Sequence, residues 1–120
     1  MRNCSFCDII NTRERSTPLV FENEIGIAFN PKKQISNGHT ILIPRIHYQD
    51  IFEIDTNVLL EVTRAMKDLA KKIKEEYNSS GINILHASGI YAQQSVLHFH
   101  FHLVPRYEND GLDLWLKNPA

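Results

Sequence analysis

Glycine and proline are scarce in this sequence, five of each in 120 residues, and there are only two cysteines. No repeat, low-complexity tract or Pro/Gly/Ser-rich linker interrupts it. Collagen-like, disordered and multi-domain readings therefore fall away, and one domain over residues 1–120 is expected. No run approaches the roughly 18 apolar residues that a membrane span needs, so no membrane partner is expected. The start, Met1-Arg2-Asn3-Cys4, lacks the apolar stretch of a secretory signal, and the expected location is cytoplasmic. In that reducing compartment a structural disulfide between Cys4 and Cys7 is a poor explanation for the pair. Metal binding, redox chemistry or simple packing remain. Charge of one sign is also lacking: 13 basic residues face 14 acidic ones, for a net charge of -1. Gripping nucleic acid by phosphate neutralisation calls for a basic excess, so no nucleic-acid partner is expected. Any phosphate this chain binds is small and held locally.

What is present is an ordinary globular composition, 42% hydrophobic and 22% charged. Cys7 to Asn11 predicts a short helix ending near Thr12. Leu19–Phe21 and Ile25–Phe29, parted by Glu22-Asn23-Glu24, predict a hairpin. A polar loop follows from Asn30 to Gly38. The β-branched stretch His39–Ile43 predicts a strand closed by Pro44. From Asp55 to Tyr77 the period changes: Val58, Val62, Ala65, Met66, Leu69 and Ile73 recur at spacings of three and four. That predicts an amphipathic helix of about six turns, capped by Asp55 or Thr56 and closed at Asn78-Ser79-Ser80-Gly81. Ile82–Leu85 and Val96–Val104 predict two more strands. The sum is an α+β domain with a mainly antiparallel five-stranded sheet, one long helix and one short one.

The densest signal is Gln94-Ser95-Val96-Leu97-His98-Phe99-His100-Phe101-His102-Leu103-Val104-Pro105, which holds three of the six histidines. Side chains alternate across a strand, so His98, His100 and His102 are expected on one face, about 6.6 Å apart in succession. Leu97, Phe99, Phe101 and Leu103 are expected on the other, in a core beneath the long helix. An expression tag is excluded, because the run is internal and interleaved with core residues. Satisfied core histidines would explain one position but not comfortably three. A metal site built by the whole row is the rival, since neutral imidazole is a common ligand. No Asp or Glu lies in the row to complete a carboxylate-rich hydrolytic centre.

The row resembles the histidine-triad (HIT) family motif, His-apolar-His-apolar-His followed by two apolar residues. Gly38-His39-Thr40-Ile41-Leu42-Ile43-Pro44, the Cys4/Cys7 pair and Pro105-Arg106-Tyr107 are similar to that family too, specifically to zinc-containing bacterial-type members. The resemblance runs from Cys4 to Tyr107. It implies a HIT-like fold, a homodimer and a purine nucleotide substrate. The implied activity is a nucleotide hydrolase or transferase, cleaving at the α-phosphate of nucleoside phosphoramidates, adenylates or dinucleoside polyphosphates through a covalent nucleotidyl-histidine.

The resemblance assigns the nucleophile to His100, with His102 stabilising charge on the phosphate or protonating the leaving group, and His39 supporting the nucleophile. It matches Gln94 and Ser95 to a polar pair that binds phosphate or leaving group, although loop polarity explains them equally well. Asn30 matches a residue on the ribose hydroxyls, with one extra residue before His39. Cys4, Cys7, His47 and His98 match a structural zinc site, whose alternative is two small buried cysteines. Two positions depart from the family pattern: Ala87 stands where an Asn or Gln amide approaches the phosphate, and Gln93 replaces a glycine. His86, beside Ala87, is expected on the opposite face if that strand continues. Two other classes compete with the enzyme: a nucleotide-binding protein of the same fold with little turnover, and a metal-handling or redox protein. The intact His39, His100 and His102 set argues against the first. The second lacks the βαβ pattern that accompanies a redox Cys-X-X-Cys.

Overall fold

The computed structural model describes residues 4–12 and 17–117, so the start at Met1-Arg2-Asn3 lies outside the described residues. In chain order the elements are α1 (Ser5–Asn11), β1 (Leu19–Glu22), β2 (Gly26–Phe29), β3 (Thr40–Pro44), α2 (Thr56–Tyr77), β4 (Gly81–Leu85) and β5 (Phe101–Arg106). A single 3₁₀ turn, Ile90–Ala92, lies between β4 and β5. The five strands form one sheet in the order β1-β2-β3-β5-β4, and every pairing is antiparallel. The α+β expectation holds, with one long helix and one short one.

The β1–β2 hairpin turns at Asn23, whose Oδ1 accepts from the N–H groups of Ile25 and Gly26, both at 2.9 Å. An Asn side chain that mimics a turn carbonyl is why the chain reverses there. Helix α2 begins where the Asp55 carboxylate accepts from the Val58 N–H at 3.1 Å. It ends where Asn78 adopts a left-handed conformation, φ 50°.

The sheet has two differently covered faces. Val62, Ala65, Leu69 and Ile73 of α2 bury against Ala28, Leu42, Phe99 and Leu103. Each large apolar side chain so buried contributes about 1.5–3 kcal/mol. On the other face a smaller cluster holds Cys4 and Phe6 from the α1 region against Ile27, Phe29, Ile41 and Ile43. Gly38 (φ +93°) sits where any Cβ would come within 2.8 Å of the Tyr77 ring, so only glycine lets the loop close onto the end of α2. That closure sets the position of the next residue, His39.

The histidine segment departs from expectation. The strand forecast over Val96–Val104 begins at Phe101, because residues 96–98 bend and residues 99–100 carry no regular ladder. Leu97 is therefore 46% exposed instead of lying in the core, whereas Phe99 and Leu103 are fully buried there. The bend is held by long-range bonds that no local pattern encodes. Phe99 donates its N–H to the Tyr48 carbonyl at 2.7 Å, and Gln94 donates from Nε2 to the Gln49 carbonyl at 2.6 Å.

Candidate functional site

Cys4 caps the N-terminus of α1, its Sγ accepting from the Cys7 N–H at 3.3 Å, so one helical turn brings both thiols to one place. Cys7 Sγ lies 3.1 Å from His47 Nδ1, just after β3. His98 Nδ1 lies 3.5 Å from Cys4 Sγ and 3.6 Å from Cys7 Sγ. The four ligating atoms fall within 4.8 Å of one another. A tetrahedral ion with bonds of about 2.3 Å to sulfur and 2.0–2.1 Å to nitrogen has S···N edges near 3.6 Å, so the donor set and spacing fit zinc. His98 is pre-set as a ligand. Its Nε2–H donates to the Pro44 carbonyl at 2.9 Å, which leaves the Nδ1 lone pair facing the sulfurs. Among the described residues this cluster can hold a metal ion. A cavity of about 670 Å³ lies against it, with Cys4, His47, Gln49, Ser95 and Leu97 in its wall.

His39, His100 and His102 come together at the next stretch of the same segment. The tautomer of each ring is dictated by its neighbours. His100 Nδ1 lies 2.7 Å from the His98 carbonyl and must donate there, so Nε2 carries a lone pair. The Ile35 N–H donates to His39 Nδ1 at 3.3 Å, so the His39 proton sits on Nε2. His39 Nε2 in turn lies 2.9 Å from His102 Nδ1 and donates to it, which leaves the His102 proton on Nε2. One ring thus offers a nucleophilic nitrogen, and its neighbour offers an N–H donor. The His100 and His102 rings meet edge to face, centroids 4.9 Å apart.

Burial keeps these rings neutral. It lowers the pKa of His39 and that of His100; for His100 the bond to the His98 carbonyl opposes the fall and the nearby His86 ring adds to it. His102 falls to about 4, mainly through burial and then through the neighbouring His100, His39 and His86. At neutral pH only about one His102 ring in a thousand would carry a charge. In that neutral form its Nε2–H is a hydrogen-bond donor.

The polar candidates are placed differently. Gln94 is buried, its Oε1 accepting from the Gly89 N–H at 2.7 Å and its Nε2 donating to the Gln49 and Val96 carbonyls. Ser95 is exposed on the cavity wall. Asn30 Nδ2 donates to the His39 carbonyl at 2.8 Å and to Thr40 Oγ1 at 3.3 Å, and Asn30 borders a small space under Leu69, Ile73 and Tyr77 of α2. Gln93, the residue in place of the family glycine, keeps a left-handed backbone at φ 72°, which costs an L-residue about 1–2 kcal/mol. Two contributors escaped the sequence reading. Ile35 acts through its backbone N–H, which no side-chain motif marks. His86 donates from Nδ1 to the His100 carbonyl at 2.9 Å, because β4 stops at Leu85 and the chain turns.

The chain is similar to known proteins in both sequence and fold. The chain is 36% identical over 119 residues to Protein hit of Bacillus subtilis, covering 98% of this chain and 81% of that protein. It is 34% identical over 110 residues to an adenosine 5′-monophosphoramidase of Saccharomyces cerevisiae, covering 91% and 66%. A crystal structure of a HIT family protein from Bacillus anthracis superposes with a TM-score of 0.88 at 38% identity, covering 97% of this chain and 82% of that one. A zinc-bound histidine triad family protein from Mycobacterium smegmatis superposes with a TM-score of 0.86 at 26% identity, covering 93% and 81%. Residues 12–109 match the HIT domain family, and the chain belongs to it.

Proposed function

We propose that this protein is a nucleotide hydrolase or transferase that acts at the α-phosphate of purine nucleoside phosphoramidates, adenylates or dinucleoside polyphosphates. The observation that carries the reading is the bond from His100 Nδ1–H to the His98 carbonyl at 2.7 Å, which aims a neutral ring with a lone pair on Nε2. That nitrogen attacks phosphorus while the bond to the leaving group breaks, and the leaving group departs with the electron pair and takes a proton from solvent water. Water then attacks the nucleotidyl-imidazole, releases the nucleoside monophosphate and returns His100 to its neutral form. His102 donates from Nε2–H to charge growing on the phosphate, and His39 holds it in that tautomer. The similarity to a phosphoramidase supports this chemistry.

Ser95, exposed on the cavity wall, would meet a phosphate oxygen or leaving group. Gln94 and Asn30, engaged with main-chain groups, shape the loops around the site. Cys4, Cys7, His47 and His98 would hold a structural zinc ion, which fastens α1 to the histidine segment. The working form is a cytoplasmic homodimer.

Incubation with a panel of adenosine and guanosine phosphoramidates, adenylates and dinucleoside polyphosphates tests the reading, with nucleoside monophosphate release as the readout. A brief quench with substrate labelled at the α-phosphate should trap label on His100. His100→Ala should abolish both adduct and turnover while nucleotide binding persists. Full activity in His100→Ala would overturn the nucleophile assignment. Binding without turnover in the wild-type protein would favour a nucleotide-binding role instead.

A further inference from the structure

We propose that His86 is a positioning residue for the chemistry at His100, acting by clamping the main-chain carbonyl of that residue. The inference rests on the reading of His100 as nucleophile. In the β4–β5 ladder Gly81 faces Arg106 and Leu85 faces His102. Extending that register would bring Ala87 opposite His100. The ladder stops before it gets there, because β4 ends at Leu85 and the chain turns away through Gly89, φ +99°. The His100 carbonyl is thereby left without a main-chain donor from β4. His86 supplies the missing donor from its side chain, Nδ1 to oxygen at 2.9 Å.

The polarity of this contact is fixed at both ends. A carbonyl oxygen only accepts, so His86 Nδ1 carries the proton. His86 Nε2 then accepts from the Ser88 hydroxyl, and Ser88 Oγ accepts from the Ile51 N–H at 2.9 Å. One chain of bonds thus runs from the 45–54 loop through Ser88 and His86 to the backbone of His100. The ring is also wedged against Phe99, centroid separation 4.5 Å, and against Phe101 at 5.7 Å. Those aromatic rings flank His100 in sequence. His100 is consequently held on two sides: its own Nδ1 binds the His98 carbonyl, and its own carbonyl binds His86. A lateral slip of either anchor moves Nε2 relative to the phosphorus, and displacement of about 1 Å can cost on the order of a hundredfold in rate.

Packing alone would make the same ring contacts, so the test must separate hydrogen bonding from bulk. His86→Phe keeps an aromatic ring over Phe99 but removes both nitrogens. His86→Asn loses the ring but places an amide N–H near the position of Nδ1. With adenosine 5′-monophosphoramidate as probe, His86→Phe should lower kcat about tenfold or more with KM within about threefold. His86→Asn should recover most of that loss despite its smaller packing area. A purely structural role predicts the opposite order, with His86→Phe the more active of the two, and that outcome would overturn the clamp. Long-range proton–nitrogen NMR on the wild-type protein should find His86 as the neutral Nδ1–H tautomer. The Nε2–H tautomer would overturn the proposal even if neither variant folds. If the wild-type protein forms no adduct on His100, the nucleotidyl-transfer reading fails by itself. The NMR result then still decides whether His86 clamps the His100 backbone.

Discussion

His39 and His102 are joined nitrogen to nitrogen, Nε2 to Nδ1 at 2.9 Å, and the direction of that bond is imposed by the Ile35 N–H on the far side of His39. A peptide group in a loop thereby determines which nitrogen His102 presents to a substrate. His39→Ala releases His102 to take either tautomer. The expected outcome is a fall in kcat of about tenfold with little change in KM, because the lost contact strengthens with charge in the transition state. Steady-state kinetics would check this, alongside NMR showing His102 redistributed between tautomers. Unchanged kcat would remove His39 from the mechanism.

The cysteine and histidine cluster predicts about one zinc ion per chain in protein purified without chelators. Cys4→Ser should lower zinc content and reduce Tm by about 5 °C or more, since Cys4 links α1 to the buried His98. Chelation of the wild-type protein should have the same thermal effect, and activity should fall only as far as the histidine segment loosens. Elemental analysis finding no zinc would refute the structural site.

Stability should fall as pH drops from about 6.5 toward 4. His102 binds its proton near pH 4 in the folded chain, but near its ordinary value of 6.5 once unfolded. Between those values the unfolded chain holds more protons, so acid favours unfolding, and below pH 4 the loss is complete. Burial of His39 and His100 acts in the same direction. Denaturant titrations at pH 7, 5.5 and 4.5 should show this decline, and His102→Gln should flatten part of it. An equal decline in that variant would assign the effect to other groups.

Strands β1 and β4 are the two edges of the sheet, each with one row of backbone groups unpaired within it. Pairing of an edge with its copy across a two-fold axis would satisfy that row and give a dimer. Sedimentation at micromolar concentration should report a dimer. A monomer would rule out that pairing.

Local pattern was sufficient wherever one element's own residues determine its structure. The apolar spacing from Val58 to Ile73 specifies α2, and Asp55 and Asn78 bound it with cap chemistry that acts within one turn. The hairpin at Asn23 is equally local. The triad, Cys4, Cys7 and His47 were legible as residue types at spacings shared with a family. Their assembly was not derivable from spacing alone, since Cys7 and His98 are far apart in the chain and meet only across the sheet.

Alternation over Val96–Val104 suggested an unbroken strand, yet Leu97 faces solvent and the ladder starts at Phe101. The Tyr48 and Gln49 carbonyls bend that segment, and they belong to a distant loop. His86 packs against Phe99 and Phe101, on the face a continuing β4 would give it, but because β4 stops at Leu85 its Nδ1 also reaches the His100 carbonyl. By itself, then, the sequence determined the helices, the order of the strands along the chain and the triad motif, all set by residues close together in the chain. Tertiary structure alone decided which nitrogen of His98, His102 and His86 holds a proton. That choice depends on which group stands opposite the ring: the Pro44 carbonyl for His98, His39 for His102 and the His100 carbonyl for His86. Such pairings exist only once separate segments of the chain have been brought together by the closing of the sheet and its core.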